Sequence, residues 1–464
     1  MKLNIRVQNI GVISQGDIQV KPITVLAGKN GTGKSFFTKL LYSILNVYNR
    51  NVLHSNIALT LNFIIEYLDL YLITVSFKSE QDEIIIKKLI DELVKIRDDL
   101  NNVNETGPIN IYFDFVTYKA AYIENLFNDF KKYTLDLKNK KRKWPTVKNI
   151  ANYIIDRFKY LLESFKNPEK IFVENINNSL KNEIKENFQI SSLKEIVSFD
   201  KGELEISDQD VFSIKIKNNS LLWKMKRGFL DEVSNLSEVV FFESPTYWRV
   251  REPLLKVREE HRRRELIGVP KYFYDLNDKL STKLKLDNEN DELLSSIQKE
   301  LYQTLGGRFI FSGGELVFED NNGYEIPKNL ISSGMTSLGM ILALIETGII
   351  SKGSFIFFDE PETNLHPEWQ VLLVKVLIEL AKREINVVIA THSINVLKAL
   401  EVSLKIDDDL NEQKINDLLS VNFFESDGTI AAFKEEGALA HLINARGLLT
   451  EPYEELFLEE LYHD

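Results

Sequence analysis

The chain has 464 residues, enough for two or three domains and a substantial apolar core. It contains no cysteine, which excludes disulfide bonds and thiolate metal sites and suits a protein of the reducing cytoplasm, where we expect it. A formal net charge of −12 argues against a generally basic nucleic-acid-binding protein, although a local basic patch could still bind phosphates.

An alternating pattern at the amino terminus predicts strands and lacks the apolar core of a signal sequence. Leu3, Ile5 and Val7 alternate with polar residues, and residues 23–27 form a short apolar run. The most apolar early stretch, residues 61–77, is interrupted by two acidic residues. We therefore interpret it as a buried helix and expect no membrane association.

The motif directly after the apolar run predicts a site for a nucleoside triphosphate. Residues 28–35 fit the pattern G-x-x-x-x-G-K-[ST] at every fixed position, between an apolar strand and a helical pattern. The glycines let backbone amides face an anion at the positive end of the helix, while Lys34 reaches the outer phosphates and Ser35 ligates Mg²⁺. The strand and helix disfavour a chance glycine turn. The predicted ATP contacts are Gly28, Asn30, Gly31, Gly33, Lys34, Ser35 and Phe36.

Residues 46–190 have apolar residues at helical spacing and almost no glycine, which predicts a helical insertion. Within it, the basic residues Lys141, Arg142 and Lys143 precede Trp144, a combination that can contact a nucleic-acid backbone and stack on a base. A solvated loop between helices is the alternative interpretation. We keep both open.

Strand patterns return between residues 195 and 243, followed by a second basic segment. Its centre, Arg262, Arg263 and Arg264, could bind DNA, RNA or the acidic surface of a partner protein. Glutamates alternate with the basic residues here, so a surface helix with internal ion pairs is the competing interpretation.

A small polar turn then opens a strongly apolar helix. Ser332, Ser333 and Gly334 lie at this predicted helix start, where free amides and hydroxyls suit a phosphate. Taken alone, the same residues could simply cap the helix.

Two further apolar runs end in residues whose side chains can bind a metal ion or transfer a proton. The first ends in Asp359 and Glu360, of which Asp359 is placed to hold Mg²⁺ through water and Glu360 to position or deprotonate a water. The second ends just before His392. One strand–helix–strand unit separates them, so we predict that Glu360 and His392 lie side by side at the carboxyl ends of parallel strands. An ordinary acidic turn and a core histidine are the alternatives.

In their order and spacing these motifs resemble those of ABC ATPases of the structural-maintenance-of-chromosomes (SMC) and RecF group. Residues 28–35 resemble a Walker A motif, 331–335 the ABC signature and 355–360 Walker B with its catalytic glutamate. The stretch 362–366, with Glu362 and Asn364, resembles the D-loop, and His392 the switch histidine. The amino-acid sequence of residues 359–367 is more similar to that of overcoming-lysogenization-defect ATPases and of the ATPase subunits of anti-phage systems such as Septu and PARIS.

This resemblance implies an α/β fold, with an ABC-type P-loop nucleotide-binding domain made of a mixed sheet lobe and a parallel core sheet. We predict that residues 1–45 and 191–395 form this domain, with 46–190 as the insertion and 396–464 as a hairpin and helical tail. It also implies a homodimer or higher homo-oligomer. ATP would lie between Lys34 and Ser35 of one protomer and Ser332 and Gly334 of the other, with Mg²⁺ at Ser35 and Asp359 and the γ-phosphate at His392.

The sequence departs from the family pattern in three ways. Ser333 stands where many relatives have glycine, and Met335 where they have a polar residue, which predicts weaker nucleotide contact by the signature. No Q-loop glutamine can be placed, since Gln81 lies inside a helical pattern. About 70 residues follow His392, too few for the Toprim nuclease domain of the lysogenization-defect enzymes.

The leading functional hypothesis is therefore an ATPase that regulates a separate effector, a nuclease or toxin-like protein, in anti-phage defence. The alternative is a DNA-repair or recombination clamp of the RecF type, with Arg262–Arg264 facing DNA. A transporter subunit is a third option, disfavoured by the insertion and by the Leu-His-Pro ending of the D-loop.

Overall fold

The computed structural model describes residues 1–75, 80–106, 109–139, 144–198, 201–243, 246–260, 268–281, 292–312, 315–434 and 436–463. The chain divides into two compact units: Met1–Asn49 with Leu180–Asp464, here called the split unit, and Arg50–Ser179, here called the helical unit. The basic residues Lys141, Arg142, Lys143, Arg262, Arg263 and Arg264 lie outside the described residues.

Thirteen strands form within the described residues, all of them in the split unit. They are β1 (Leu3–Ile10), β2 (Ile13–Val20), β3 (Ile23–Gly28), β4 (Glu203–Asp208), β5 (Phe212–Lys217), β6 (Ser220–Met225), β7 (Val239–Phe242), β8 (Gly307–Ser312), β9 (Glu315–Asp320), β10 (Glu325–Pro327), β11 (Phe355–Asp359), β12 (Asn386–Thr391) and β13 (Leu419–Phe424).

The described residues also form sixteen α-helices and two short 3₁₀ helices, the latter at Leu193–Ile196 and Lys328–Leu330. The α-helices are α1 (Lys34–Tyr48), α2 (Val52–Val75), α3 (Glu80–Thr106), α4 (Ile109–Asn139), α5 (Trp144–Lys166), α6 (Pro168–Phe188), α7 (Phe229–Ser234), α8 (Thr246–Arg249), α9 (Arg251–Glu260), α10 (Lys271–Ser281), α11 (Glu292–Leu305), α12 (Ser333–Glu346), α13 (Pro367–Lys382), α14 (Ile394–Ile406), α15 (Glu412–Leu418) and α16 (Ala438–His463).

The core of the split unit is a five-stranded parallel sheet in the order β13-β3-β12-β11-β7. Its strands are apolar on both faces and almost entirely buried, as expected for a parallel sheet that is covered on both sides. All five carboxyl ends meet at one edge. This edge therefore gathers the residues that follow Gly28, Phe242, Asp359, Thr391 and Phe424.

Two antiparallel sheets complete the split unit. One has the order β2-β1-β4-β5-β6, and β1 alternates buried and exposed residues, which fits a sheet with one solvated face. The other has the order β10-β9-β8. The predicted α/β class and the parallel core sheet are confirmed, and β8 and β9 pair antiparallel.

The helical unit consists of α2 to α5 and the first part of α6. Helix α2 buries one side through Leu53, Ile57, Leu61, Ile64, Leu68 and Tyr71, spaced three or four residues apart. It is the one helix among the described residues that is long and apolar enough to cross a membrane. Glu66 and Asp69 lie on its less buried side. A helix of a protein core meets the same criteria, so length and composition do not assign α2 to a membrane.

Strand β13 has a pairing that the sequence analysis did not predict. It pairs in parallel with β3, from Leu419 against Ile23 to Phe424 against Gly28, and forms the edge of the core sheet. The segment after it turns back antiparallel, with a bridge between Phe424 and Ile430 and hydrogen bonds from the Ala431 amide to Phe423 O at 2.8 Å and from the Glu425 amide to Thr429 O at 2.9 Å. Both faces of β13 are buried, and the polar side chains of Ser420 and Asn422 on one face are satisfied by hydrogen bonds to the backbone of Gln19.

Candidate nucleotide-binding site

The loop between β3 and α1 has a backbone that requires glycine. Gly31 and Gly33 have φ angles of 80° and 98°, in the left-handed region that other residues rarely adopt. A Cβ atom on Gly33 would also approach the Ile13 side chain to 2.7 Å. Asn30 and Gly31 are exposed at the turn of the loop. The loop can therefore present its amides to a ligand from the solvent side.

Lys34 is held inside this loop. Its side chain is only 5% exposed, and Nζ donates hydrogen bonds to the carbonyl oxygens of Gly28 and Lys29 at 2.9 and 2.8 Å. Burial lowers the pKa of Lys34, while the nearby carboxylates of Glu360 and Asp359 raise it and limit the shift. The ammonium group is thus fixed at the start of α1, where it can meet a phosphate.

Phe36 lies on the first turn of α1. Its ring contacts that of Phe188 with centroids 4.9 Å apart, and a Cβ atom on Gly11 would approach it to 3.1 Å. The side chain therefore packs within the split unit, between α6 and the turn that joins β1 to β2.

Ser35 and Asp359 meet across the core sheet. Ser35 Oγ donates a hydrogen bond of 2.8 Å to Asp359 Oδ1, although the residues are far apart in sequence. Burial raises the pKa of Asp359 to about 6, and the hydrogen bond from Ser35 opposes this shift. A hydroxyl and a buried carboxylate are oxygen donors of the type that Mg²⁺ prefers. The pair therefore fits the metal that an ATP site requires.

Glu360 and His392 lie side by side, because β11 and β12 are neighbours in the sheet. Glu360 has a φ angle of 53°, and its amide donates to the carbonyl oxygen of Ala390 at 2.9 Å. This strained turn directs the carboxylate towards β12, and Glu360 Oε1 lies 3.4 Å from His392 Nδ1. Both side chains are about 40% exposed, at 43% and 40%. A ligand at this edge of the sheet can reach both.

The turn at residues 331–335, here called the signature turn, lies against the D-loop, residues 362–366, of the same chain. Ser332 caps α12 by accepting a hydrogen bond of 3.2 Å from the Met335 amide, as the simple capping interpretation expected. A Cβ atom on Gly334 would come within 2.9 Å of the Asn364 carbonyl oxygen. Among the described residues, no hydrogen bond or ion pair joins Ser332, Ser333 or Gly334 to the loop after β3.

In the described part of the second basic segment, two arginines contact α10. Arg258 forms a bidentate pair with Asp278, with both N–O distances at 2.9 Å. Arg251 is buried, and its Nε donates to Asn277 at 2.6 Å. Arg249, by contrast, is exposed at the end of α8. The pair of Arg258 therefore joins α9 to α10, and the ion pair inside α9 is that of Arg251 with Glu252 at 3.6 Å. For Arg262–Arg264, outside the described residues, both interpretations stay predictions.

Glu243 is a residue of this edge that the sequence analysis did not identify. It follows β7, next to β11, so its carboxylate lies beside Asp359 and raises the pKa of that residue. Lys39 Nζ donates to Glu243 Oε1 at 2.8 Å, and the Tyr272 hydroxyl donates to Oε2 at 2.5 Å. The available signal was an apolar run that ends in an acid, as at Asp359.

A comparison with known protein families finds a match. The family model described as AAA ATPase domain matches residues 1–397. No curated protein matches the chain in sequence.

Three solved structures show low similarity. The SMC head domain from Thermotoga maritima is 10% identical, with 94% of this chain and 99% of that chain covered and a TM-score of 0.36. The recombination mediator protein RecF of the RecFOR pathway is 9% identical, with coverage of 93% and 97% and a TM-score of 0.31. An ATP-binding cassette of an ABC transporter, in its ADP conformation, is 16% identical, with coverage of 54% and 78% and a TM-score of 0.25. At these TM-scores, none of the three bears on what this chain binds.

Proposed function

Because the chain belongs to the AAA ATPase domain family, we propose that this site binds ATP with Mg²⁺ and that Glu360 and His392 promote its hydrolysis. The observation that carries this proposal is the contact between Ser35 and Asp359 at 2.8 Å. It joins the end of the phosphate-binding loop to the acidic end of β11, and an ATP–Mg²⁺ site needs these two parts of the chain together.

In this proposal the loop after β3 binds the phosphates. The amides of residues 30–35 and the ammonium group of Lys34 face the β- and γ-phosphates at the start of α1. Ser35 and Asp359 would hold Mg²⁺, which neutralises charge on the phosphate oxygens. Glu243 lies beside Asp359 and adds a third oxygen donor to this edge.

Hydrolysis is assigned to the pair at the ends of β11 and β12. Glu360 orients the attacking water and accepts its proton, which its exposed carboxylate can do from the sheet edge. His392 donates a hydrogen bond to the γ-phosphate through Nε2, because Nδ1 faces the carboxylates. The side chains that these roles require already lie together, because His392 Nδ1 is 3.4 Å from Glu360 Oε1 and 3.9 Å from Glu362 Oε1.

A second protomer would complete the site. Ser332, directly before α12, is exposed, and so are Asn30, Gly31 and Asn364, while Ser333 is half-buried and Gly334 buried. An amide-rich helix start from one copy can therefore face the nucleotide of the other. ATP would close the dimer and hydrolysis would reopen it, a ligand-driven shift between two states.

We further propose that this cycle regulates a separate effector in anti-phage defence. The support is the form of residues 359–367, Asp-Glu-Pro-Glu-Thr-Asn-Leu-His-Pro, which resembles the ATPase subunits of such systems. A nuclease or toxin-like protein is the expected partner. A DNA clamp of the RecF type is the second candidate, and the observation that favours it is the basic segment that starts at exposed Arg249 and continues to Arg262–Arg264.

One experiment tests the ATPase proposal and separates the two roles. The protein and its E360Q variant are purified with the products of the neighbouring genes, with and without ATP, and the proteins that co-elute are identified. A stoichiometric effector supports the defence role, and its absence together with ATP-dependent DNA binding supports the clamp. Reversing the charge of Arg262–Arg264 must then reduce DNA affinity, or the clamp is excluded. A failure of ATP to bind at all would reject the shared ATPase proposal.

A further inference from the structure

Glu362 is a buried carboxylate of which one oxygen accepts a side-chain hydrogen bond and the other does not. The residue is 9% exposed, and Oε1 accepts a hydrogen bond of 2.7 Å from the Thr391 hydroxyl. The other oxygen, Oε2, is buried and accepts no hydrogen bond within the described part of the chain. A buried acceptor without a donor costs free energy, so such a group in a native structure calls for an explanation.

The Thr391 hydroxyl cannot supply that second bond. Thr391 Oγ1 donates its only proton to Glu362 Oε1 and itself accepts from the Ser393 amide at 2.9 Å. The threonine is therefore fully engaged, and it fixes one side of the carboxylate. Among the described side chains, another donor next to the carboxylate is the imidazole of His392, which follows Thr391 and whose Nδ1 lies 3.9 Å from Glu362 Oε1.

Two carboxylates compete for this histidine. His392 Nδ1 lies 3.4 Å from Glu360 Oε1 and 3.9 Å from Glu362 Oε1. An imidazole held on Glu360 Oε1 would compete with a water for that oxygen, whereas an imidazole held by Glu362 leaves both Glu360 oxygens to the water. The imidazole is 40% exposed, which leaves room for the small rotation that would bring Nδ1 to Glu362.

We propose that Glu362 is the positioning residue of His392: its carboxylate accepts the Nδ1–H, directs Nε2 to the γ-phosphate and leaves Glu360 free for the water. This inference rests on the proposed ATPase function. An acceptor at one nitrogen of a histidine ring fixes the proton there and so sets the tautomer and the orientation of the other nitrogen. Burial raises the pKa of Glu362, and the Thr391 hydroxyl, the backbone amides of Glu362 and His392 and the His392 side chain oppose this shift without cancelling it.

The variant E362Q tests the pairing, because glutamine keeps one acceptor oxygen and replaces the other with a donor. It can still accept from Thr391, so the turn stays folded and the melting temperature should be unchanged. It loses the second acceptor, so kcat should fall by about 10- to 100-fold, while KM for ATP stays within about twofold. The matched control is E384Q on the exposed Glu384, which should leave both constants unchanged.

A double variant shows whether the effect passes through the histidine. If Glu362 acts through His392, E362Q should add no further loss of kcat to H392Q. A wild-type kcat in E362Q, or losses that multiply in the double variant, would overturn the inference.

A spectroscopic measurement separates this inference from the proposed function. NMR spectra of ¹⁵N-histidine-labelled protein are recorded for the E360Q variant and for the E360Q/E362Q double variant. Each protein is measured with and without ATP and Mg²⁺. The signals that disappear in H392Q are assigned to His392. A changed Nδ1 resonance on E362Q supports the pair even if the wild type hydrolyses no ATP, in which case only the proposed function fails. Identical spectra with and without E362Q would refute the pair.

Discussion

The carbonyl oxygen of Asn364 lies so close to Gly334 that a Cβ atom there would approach it to 2.9 Å. The signature turn at the start of α12 and the D-loop after β11 are therefore packed directly against each other, with no space for an intervening group. Any displacement of one must move the other. The two segments proposed to face a second protomer are thus coupled within a single chain.

The first prediction follows from this contact. G334A should displace the D-loop, because the new methyl group meets a backbone oxygen and Leu365, and such overpacking typically destabilises by about 1–3 kcal/mol. We expect weaker ATP-dependent dimerisation, measured by sedimentation, with ATP binding by the separate protomer retained. The control is G202A, where an added Cβ has no neighbour within 4 Å. Unchanged dimerisation in G334A would mean that the contact has no role in assembly.

The second prediction concerns the buried lysine of the phosphate-binding loop. K34A should abolish ATP binding, measured by calorimetry, because Lys34 is the cation that the loop holds at the start of α1. K352A removes an exposed lysine that pairs with Glu384 and should bind ATP normally. Retained affinity in K34A would reject the assignment of this loop.

The third prediction separates binding from hydrolysis. E360Q should bind ATP with near-normal affinity and hydrolyse it about 10²- to 10⁴-fold more slowly, because the amide cannot accept a proton from water. The protein should therefore accumulate as an ATP-bound dimer that is visible by sedimentation. Phosphate release at the wild-type rate would remove Glu360 from the catalytic role.

The fourth prediction concerns Glu401, a buried carboxylate of α14 that pairs with two lysines of the same helix and with Arg446 of α16. Burial alone would raise the pKa of Glu401, but hydrogen bonds from Lys405 and Lys398 outweigh it and hold this pKa below its usual value. Arg446 of α16 also lies 3.3 Å from the carboxylate. Because the folded pKa is the lower one, the stabilisation is present above the unfolded pKa of about 4.3 and is lost as the pH falls through the folded value.

The measurement is the pH dependence of unfolding. E401Q should be less stable than the wild type at pH 7 by about 1–3 kcal/mol, and the difference should shrink once the pH falls below about 4. E412Q, at the exposed start of α15, should change stability by less than about 0.5 kcal/mol. A constant difference between wild type and E401Q at every pH would show that the charge of Glu401 is not what stabilises this contact.

The parts of the site that could be predicted are those whose residues lie in one short, continuous segment of the sequence. Gly28 to Ser35 and Asp359 each adjoin a buried strand, so local pattern and chemistry point to the same place. Their meeting also followed from the rule that parallel strands bring their carboxyl ends to one edge. Proximity of Glu360 and His392 was predicted for the same reason and is found at 3.4 Å.

What could not be predicted depends on pairing between distant segments. Glu243 is one acid after a four-residue strand, and only the neighbouring position of β7 and β11 gives it significance. The pairing of β13 with β3 joins residues at opposite ends of the chain, and no local pattern specifies it. The unused oxygen of Glu362 is likewise a property of packing, which a sequence does not display.

The position of β13 also has a consequence for synthesis on the ribosome. Strand β3 carries the phosphate-binding loop and is made near the start of the chain, yet its two neighbours, β12 and β13, emerge only at residues 386–391 and 419–424. Pairing over such sequence separations is slow, so β3 stays without partners while most of the polypeptide is translated. The nascent chain should therefore acquire ATP affinity late, after Phe424 has left the exit tunnel, and shorter translation products should need chaperones to shield the apolar β3.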